Sequence, residues 1–536
     1  MTPLFSKPMN KRKIALLATA LFVVGGCSDY LDVNTNPNAP AASAVTPNLL
    51  LAPMIHWMVT GVQYDGRFSG RYTQEWEPAF GVSTLGTWER MGYDAGSDNA
   101  AEQWRDVYWQ DGLNLTGMIA KSEAEQRWDL LGVGQILQAW GWEALTDLHG
   151  DIILKEAFNQ NTFTFHYDSQ QDVYTEVQRL LGLAITNLAR TDGLVDQTYL
   201  AKTDKLYNGD RTKWMKFAQA LKAINLSHYS NKSTYNAAAI IAAVDASFAS
   251  NADDAILPYP GTSADLQDMN FNGWSRNNIR TYRQTPFVVN LMNGTALGSS
   301  VDPRMSRMLS PAPDGVYRGI DINTAGGGLT TATYPMNFMG YVGTGGGTGL
   351  PARYLFDDKS KFPVLTYAQL QFVKAEAAYR SGDKTTALAA YKNGISAHID
   401  FVNARNSDNL QNVTQISAAE KAAFLADPAI IPATPAGLTL TQIMVQKYIA
   451  QWGWAHNEIW TDMRRYHYTD LDPATGKQVY IGFTLPTSIF VDNNGKLPYR
   501  FRPRYNSDYV WNRPGLDAIG ALAADYHTVP LWISTP

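Results

Sequence analysis

Apolar positions along the chain recur at helical spacing in several separated stretches. From Leu130 the series Leu130, Val133, Leu137, Gly141, Ala144, Leu145 and Leu148 follows an i, i+3, i+4 rhythm and stops at His149-Gly150, where glycine can cap a helix. The same rhythm predicts helices over Trp104–Ala120, Val173–Leu188, Trp214–Tyr229 and Leu440–Met463. The clearest unit runs from Ala375 to Tyr391. There one helix ends at Gly382 and a second begins, with small Ala387 and large Tyr391 one turn apart on its packing face. This is the spacing of a tetratricopeptide-like hairpin, although any helical hairpin with a glycine turn shares it. Residues 62–100, 251–365 and 464–515 show no such period. They are too long for connecting loops and too rich in aromatics for linkers, so they read as packed irregular lobes in which function concentrates.

The first 27 residues change the picture. Lys11-Arg12-Lys13 precedes an apolar run from Ile14 to Val24, which ends in Gly25-Gly26-Cys27. That run is too short for the ~20 residues a membrane-spanning helix needs, so 1–26 reads as a signal peptide, with Met9 as an alternative start. Cys27, the only cysteine, stands where a bacterial lipoprotein is acylated, and alone it can form no internal disulfide. Removing 1–26 takes away Lys7, Lys11, Arg12 and Lys13 and no acid, so the net charge moves from −5 to −9. The expected mature protein is an acidic soluble body held to a membrane by its lipid alone.

Composition narrows the function. The 536 residues are 45% hydrophobic, 12% aromatic and only 17% charged, which excludes a disordered chain or a coiled coil. With 44 basic against 49 acidic residues and no basic stripe past the leader, nucleic acid is excluded as a partner. A surface of neutral polar side chains with 15 Trp and 28 Tyr suits neutral polar ligands. Catalytic signatures are missing. There is no H-E-x-x-H, G-x-S-x-G or phosphate-loop motif, and no cysteine pair for a metal. The eight histidines (56, 149, 166, 228, 398, 456, 467 and 527) include no i, i+4 pair and read as structural. The triple glycines at 326–328 and 345–347 read as loops, and Glu75 with Glu77 or Asp357 with Asp358 as solvated surface. No cofactor and no metal are expected.

An ordered set of segments resembles the SusD/RagB-like outer-membrane lipoproteins of Bacteroidetes. The set comprises Cys27-Ser-Asp-Tyr-Leu-Asp32 with Asn34-Thr-Asn-Pro37, Trp140-Gly-Trp142 with Asp147-Leu-His-Gly-Asp151, and the Ala375–Tyr391 hairpin. It continues with Glu458-Ile-Trp460-Thr-Asp462-Met-Arg464-Arg465 and closes with the arginine-rich Leu497 to Asn506. The opening and the late segment are most similar to the second SusD-like subfamily. The resemblance spans nearly the whole mature chain. It implies an all-α fold: one domain over 27–536, with tetratricopeptide-type hairpins near 101–150, 170–230, 366–403 and 440–465 and an irregular lobe packed on them. It also implies an extracellular lipoprotein that performs no chemistry. Such a protein captures a glycan or peptide and delivers it to a SusC-like TonB-dependent barrel. Other readings of the same residues are an anchored glycan hydrolase and a surface adhesion protein.

Aromatic faces stack on sugar C–H groups, and planar polar groups meet hydroxyls. Two clusters in the lobes combine these types: Trp76 and Trp88 with Arg90, Asp98 and Asn99, and Trp274-Ser-Arg276-Asn277-Asn278 with Tyr282, joined by Tyr341. Trp88 and Trp274 are the expected stacking platforms, Arg276 and Asn277 the hydrogen-bonding partners. The other reading is that these rings hold the loops together. For the anchor, Cys27→Ala is expected to release the protein from membranes or block its maturation without altering the fold. Fractionation checks this, and a fully membrane-bound variant would contradict it, whereas the wild type should resist salt washing.

Overall fold

The computed structural model describes residues 45–78, 86–260, 281–324, 326–338, 352–357, 359–408 and 414–536. The fold is mostly helical. Its long helices are α1 (Pro47–Tyr72), α2 (Gly112–Ala124), α3 (Trp128–His149), α4 (Gln170–Leu188), α5 (Arg211–Ser227), α6 (Ala237–Asp245), α7 (Tyr367–Arg380), α8 (Lys384–Asp408), α9 (Leu440–Gln451) and α10 (His456–Arg465). Each helix from α2 to α7 packs on the next, α7 also meets α8 and α9, and α10 returns against α1. Two short antiparallel ribbons complete the described lobe: β1 (Trp76–Pro78) pairs with β3 (Tyr282–Gln284), and β2 (Ala255–Leu257) with β4 (Phe362–Leu365). One apolar cluster runs from Leu51 to Phe501 and joins scaffold and lobe.

Local chemistry explains the helix boundaries. Ser169, Asp210 and Thr366 each accept backbone N–H bonds at the start of α4, α5 and α7, and Thr439 with Gln442 forms a capping box on α9. Along α4 the buried positions Val173, Val177, Leu180, Leu181, Ala184 and Leu188 form a single stripe. The expected hairpin is present. Gly382 takes φ +87° after α7, and Ala387 and Tyr391 are fully buried on α8, where the Tyr391 hydroxyl donates to the Ile430 carbonyl at 3.0 Å.

Three expected element boundaries change, and with them the reading of Glu75 and Glu77. Residues 62–72, assigned above to an irregular lobe, are the second half of α1. Its glycines permit close packing: a Cβ on Gly66 would lie 2.1 Å from the His456 ring. The stretch Leu440–Met463 is two helices. Gly453, at φ +86°, breaks it and turns its N–H to the Glu75 carboxylate at 3.0 Å. Glu75 is therefore buried and structural rather than solvated, and it also bonds Nδ1 of His456 at 2.9 Å. Glu77 beside it is buried as well, and burial pushes its carboxyl well above the ordinary range. The third change lies in Trp104–Ala120, where a π-helical turn, Asp106–Asp111, separates Glu102–Arg105 from α2.

Charge is buried at the centre of the array. Arg465 on α10 forms a two-pronged pair with Glu376 of α7, at 2.8 and 3.0 Å, and pairs with Asp462 at 2.5 Å. Lys447 on α9 meets Asp462 at 2.7 Å and Glu458 at 3.2 Å. Burial alone would raise the Glu376 carboxyl, but the adjacent Arg465 guanidinium overrides this and holds it at about 2. Its share of stability is present above the unfolded carboxyl's 4.5 and is lost as pH falls from there through about 2. Removing one partner strands the others without water. Arg465→Ala should therefore cost about 3–5 kcal/mol in urea unfolding, and a loss under about 1 kcal/mol would show that the pairing is not structural.

Candidate ligand-binding pocket

Three segments far apart in sequence enclose a cavity of about 890 Å³: residues 102–109, 153–165 and 504–512. Asp65 of α1 sets the first, its carboxylate accepting the N–H groups of Glu102 and Gln103 at 3.2 and 2.8 Å. From this start Trp104 points inward, packed against Tyr108 and His149 at 4.8 Å between ring centroids. The π-helical turn then swings Trp109 outward, 66% exposed, with the Arg105 guanidinium 4.5 Å over its ring. Arg105 also pairs with Glu102 at 2.6 Å.

The last segment closes the opposite end of the chain onto this wall. A second π-helical turn, Tyr505–Tyr509, leads to Trp511, which is 70% exposed and lines the same cavity. Asn512 clamps the middle segment by accepting from the Phe165 N–H at 2.9 Å and donating to its carbonyl at 3.0 Å. Phe163, 84% exposed, lines the cavity too. The site thus offers uncovered aromatic faces edged by guanidinium, amide and hydroxyl groups. Its carboxylates are engaged. Glu102 is paired with Arg105, and Asp508 accepts from Tyr167 and from Ser507 at 2.8 Å. Shape and chemistry suit the holding of a molecule that has flat apolar faces and hydroxyl edges.

The sequence-predicted residues are placed differently. Trp76 is 0% exposed. Its indole donates to the Gly66 carbonyl at 3.1 Å and its ring packs on Phe338 and His456. Trp88, 5% exposed, is covered by Phe68, Tyr72, Tyr93 and Phe501. Neither ring has a face free for a sugar, so both are corrected to lobe core, where the burial of large apolar surface stabilises backbone that lacks regular structure. Tyr282 is buried on β3 against Trp76, its hydroxyl bonded to Arg71, so part of the second cluster does meet the first, but inside the protein. Arg90 lies 4.9 Å over the Phe490 ring. Asn99 is tied to Asp94 at 3.1 Å. Asp98 does not line the pocket but holds its wall, pairing with the lining Arg504 at 2.6 Å and accepting from the Asn506 N–H at 2.9 Å. Cys27, Trp274, Arg276, Asn277, Asn278 and Tyr341 lie outside the described residues.

Comparison with known proteins fits this architecture. A family model described as "SusD-like_2: Starch-binding associating with outer membrane" matches residues 37–500, and the chain belongs to this family. No curated protein matches it in sequence. Among solved structures, a SusD/RagB family protein from Bacteroides thetaiotaomicron VPI-5482 is 21% identical with a TM-score of 0.67, over 92% of this chain and 99% of that one. A chitin-binding protein is 20% identical with a TM-score of 0.69, over 92% and 100%. A chitin-binding SusD homolog from Flavobacterium johnsoniae is 19% identical with a TM-score of 0.63, over 91% and 98%. These likenesses establish the SusD-like helical fold.

One pocket group titrates in an accessible range. Burial pushes the Asp508 carboxyl up to about 6, against the lowering effect of its bonds from Tyr167 and Ser507. A raised carboxyl favours the fold fully below the unfolded value of 3.8, and that contribution is lost as pH rises through about 6. Asp508→Asn should therefore gain melting temperature relative to wild type as pH rises from about 4 to about 6, then hold a constant difference. Paired thermal melts check this, and a difference independent of pH would contradict it.

Proposed function

We propose that this chain is a surface lipoprotein which captures a glycan in the Trp109/Trp511 cavity and passes it to a SusC-like TonB-dependent transporter. The observation that carries the reading is the pair of largely exposed indoles lining one cavity of about 890 Å³, where the other large aromatics among the described residues are mostly buried. An indole left in water on a cavity wall costs solvation that folding would otherwise avoid, and a ligand that stacks on it recovers that cost. Family membership supports the surface location and the partner, and two structural relatives described as chitin-binding make chitin-type oligosaccharides the first ligands to try. No helix among the described residues is long and apolar enough to cross a membrane, in keeping with attachment through lipid at Cys27.

Calorimetry on protein lacking residues 1–27, against chitin- and starch-derived oligosaccharides and a peptide panel, tests the reading. With each ring contact contributing about 1 kcal/mol, the double variant Trp109→Ala/Trp511→Ala should bind the preferred glycan about thirtyfold more weakly. Its melting temperature should be unchanged, because both rings are exposed. Unchanged glycan affinity would refute the site, and binding confined to peptides would refute the ligand class.

A further inference from the structure

Between α3, α5 and α10 lies a second polar cluster that ligand capture does not use. Glu143 and Asp147 stand four residues apart on α3 and so project from one face, and His228 follows directly after α5. One oxygen of each carboxylate and one ring nitrogen of His228 lie within 4.8 Å of one another. Nδ1 of His228 is 3.6 Å from Asp147 Oδ2 and 3.9 Å from Glu143 Oε1. Ligands around a tetrahedral ion with bonds of ~2.0–2.1 Å sit roughly 3.3 Å apart, so the two His228 contacts need a contraction of only a few tenths of an ångström, and no pair of donors needs more than about 1.5 Å.

Two further observations point to a ligand here. Glu143 is 5% exposed and its Oε1 accepts no hydrogen bond, though it faces a cavity of about 100 Å³ that Asp147, Asn457 and Glu458 also line. A buried carboxylate oxygen without a donor is costly unless a cation or proton meets it. Behind the cluster, Nε2 of His228 is 3.1 Å from Glu458, the arrangement in which a carboxylate orients a metal-binding imidazole from its far side. Neighbouring cations are already committed: Lys447 pairs with Glu458 and Asp462, and Arg465 with Asp462 and Glu376. The Arg464 guanidinium meets the Asp147 carbonyl rather than its carboxylate. Asn225 is a neutral partner of Glu143 and Tyr174 of Asp147, so His228 is the cationic group the two carboxylates share.

We infer that Glu143, Asp147 and His228 form a site for one divalent transition-metal ion of the zinc class, with a water from the adjoining cavity as fourth ligand. One imidazole and two carboxylates suit zinc, cobalt or manganese better than calcium, which prefers six or more oxygens. Binding replaces the proton on Nδ1, leaves the Tyr174 hydroxyl with Asp147 as its acceptor, and ties α3 to the turn after α5. The role is structural and separate from the Trp109 pocket.

The test uses the untagged mature chain, stripped with a chelator and titrated with Zn²⁺ or Co²⁺ alone. Expected results are one ion per chain by elemental analysis, a melting temperature that rises with Zn²⁺, and visible absorption bands of four-coordinate Co²⁺. Glu143→Gln keeps size and shape, and should weaken uptake at least tenfold while the metal-free melt stays close to wild type. Asp147→Asn should likewise weaken uptake at least tenfold, read against its own metal-free melt because Asp147 also holds Tyr174 and His228. Wild type that takes up no stoichiometric ion, or variants that bind Co²⁺ with unchanged affinity and spectrum, would overturn the site and leave His228 as a buried imidazolium.

Discussion

The structure depends on a charge that cannot reach water. Arg465 is fully buried, and its guanidinium is tolerable there only while Glu376, Asp462 and the 227–230 turn all meet it. That requirement brings α5, α7 and α10 to one geometry, and Lys447 adds α9. Apolar packing alone tolerates sliding. A buried multi-partner pair does not, since each lost contact leaves an unsolvated charge. The motif Glu458 to Arg465, chemically the most suggestive stretch in the sequence, is thus the lock of the scaffold.

The lock reaches the pocket through the next residue. Arg464 extends from α10 to the Asp147 and Tyr499 carbonyls at 2.6 and 2.8 Å, joining α3 to the late segment. Alternate arginines then hold that segment down. Arg500 bonds the Val529 and Pro530 carbonyls, Arg502 those of Ala523 and Ala524, and Arg504 the Asp98 carboxylate. An extended stretch of this kind has few backbone partners of its own, and each guanidinium supplies several donors at fixed angles. Through these contacts the wall carrying Trp511 is registered against the wall carrying Trp109. The pocket is therefore largely preformed, which limits the ordering entropy that ligand binding must overcome.

Much of the scaffold was legible in the sequence because helical period and caps are local. The Ala375–Tyr391 hairpin and α3 followed directly from spacing and a terminal glycine. α1 was harder: its second half, with Gly66 and Gly70, falls in the 62–100 stretch assigned to an irregular lobe until the His456 ring is seen against Gly66. The site was less legible. Trp76 and Trp88 sat in aperiodic sequence beside polar residues, as a binding cluster would, yet the same features describe aromatics that fill an irregular core. Trp109 did carry a signal. Extended as a helix from Trp104, it falls about 120° round from the centre of the Trp104/Tyr108 face, an indole where a polar residue is expected. Which distant segment would join it was beyond local pattern, because the 153–165 and 504–512 walls meet only through tertiary contacts.

If capture occurs on the exposed Trp109 and Trp511, as proposed, the buried indoles form only the frame. Fluorine NMR of 5-fluorotryptophan-labelled protein, with each resonance assigned by single substitution, reads every indole at once as a glycan is added. Trp109 and Trp511 should shift together along one binding curve, with Trp76 and Trp88 unmoved. A titration in which Trp76 and Trp88 shift, or only Trp274 responds, while Trp109 and Trp511 stay fixed would contradict it.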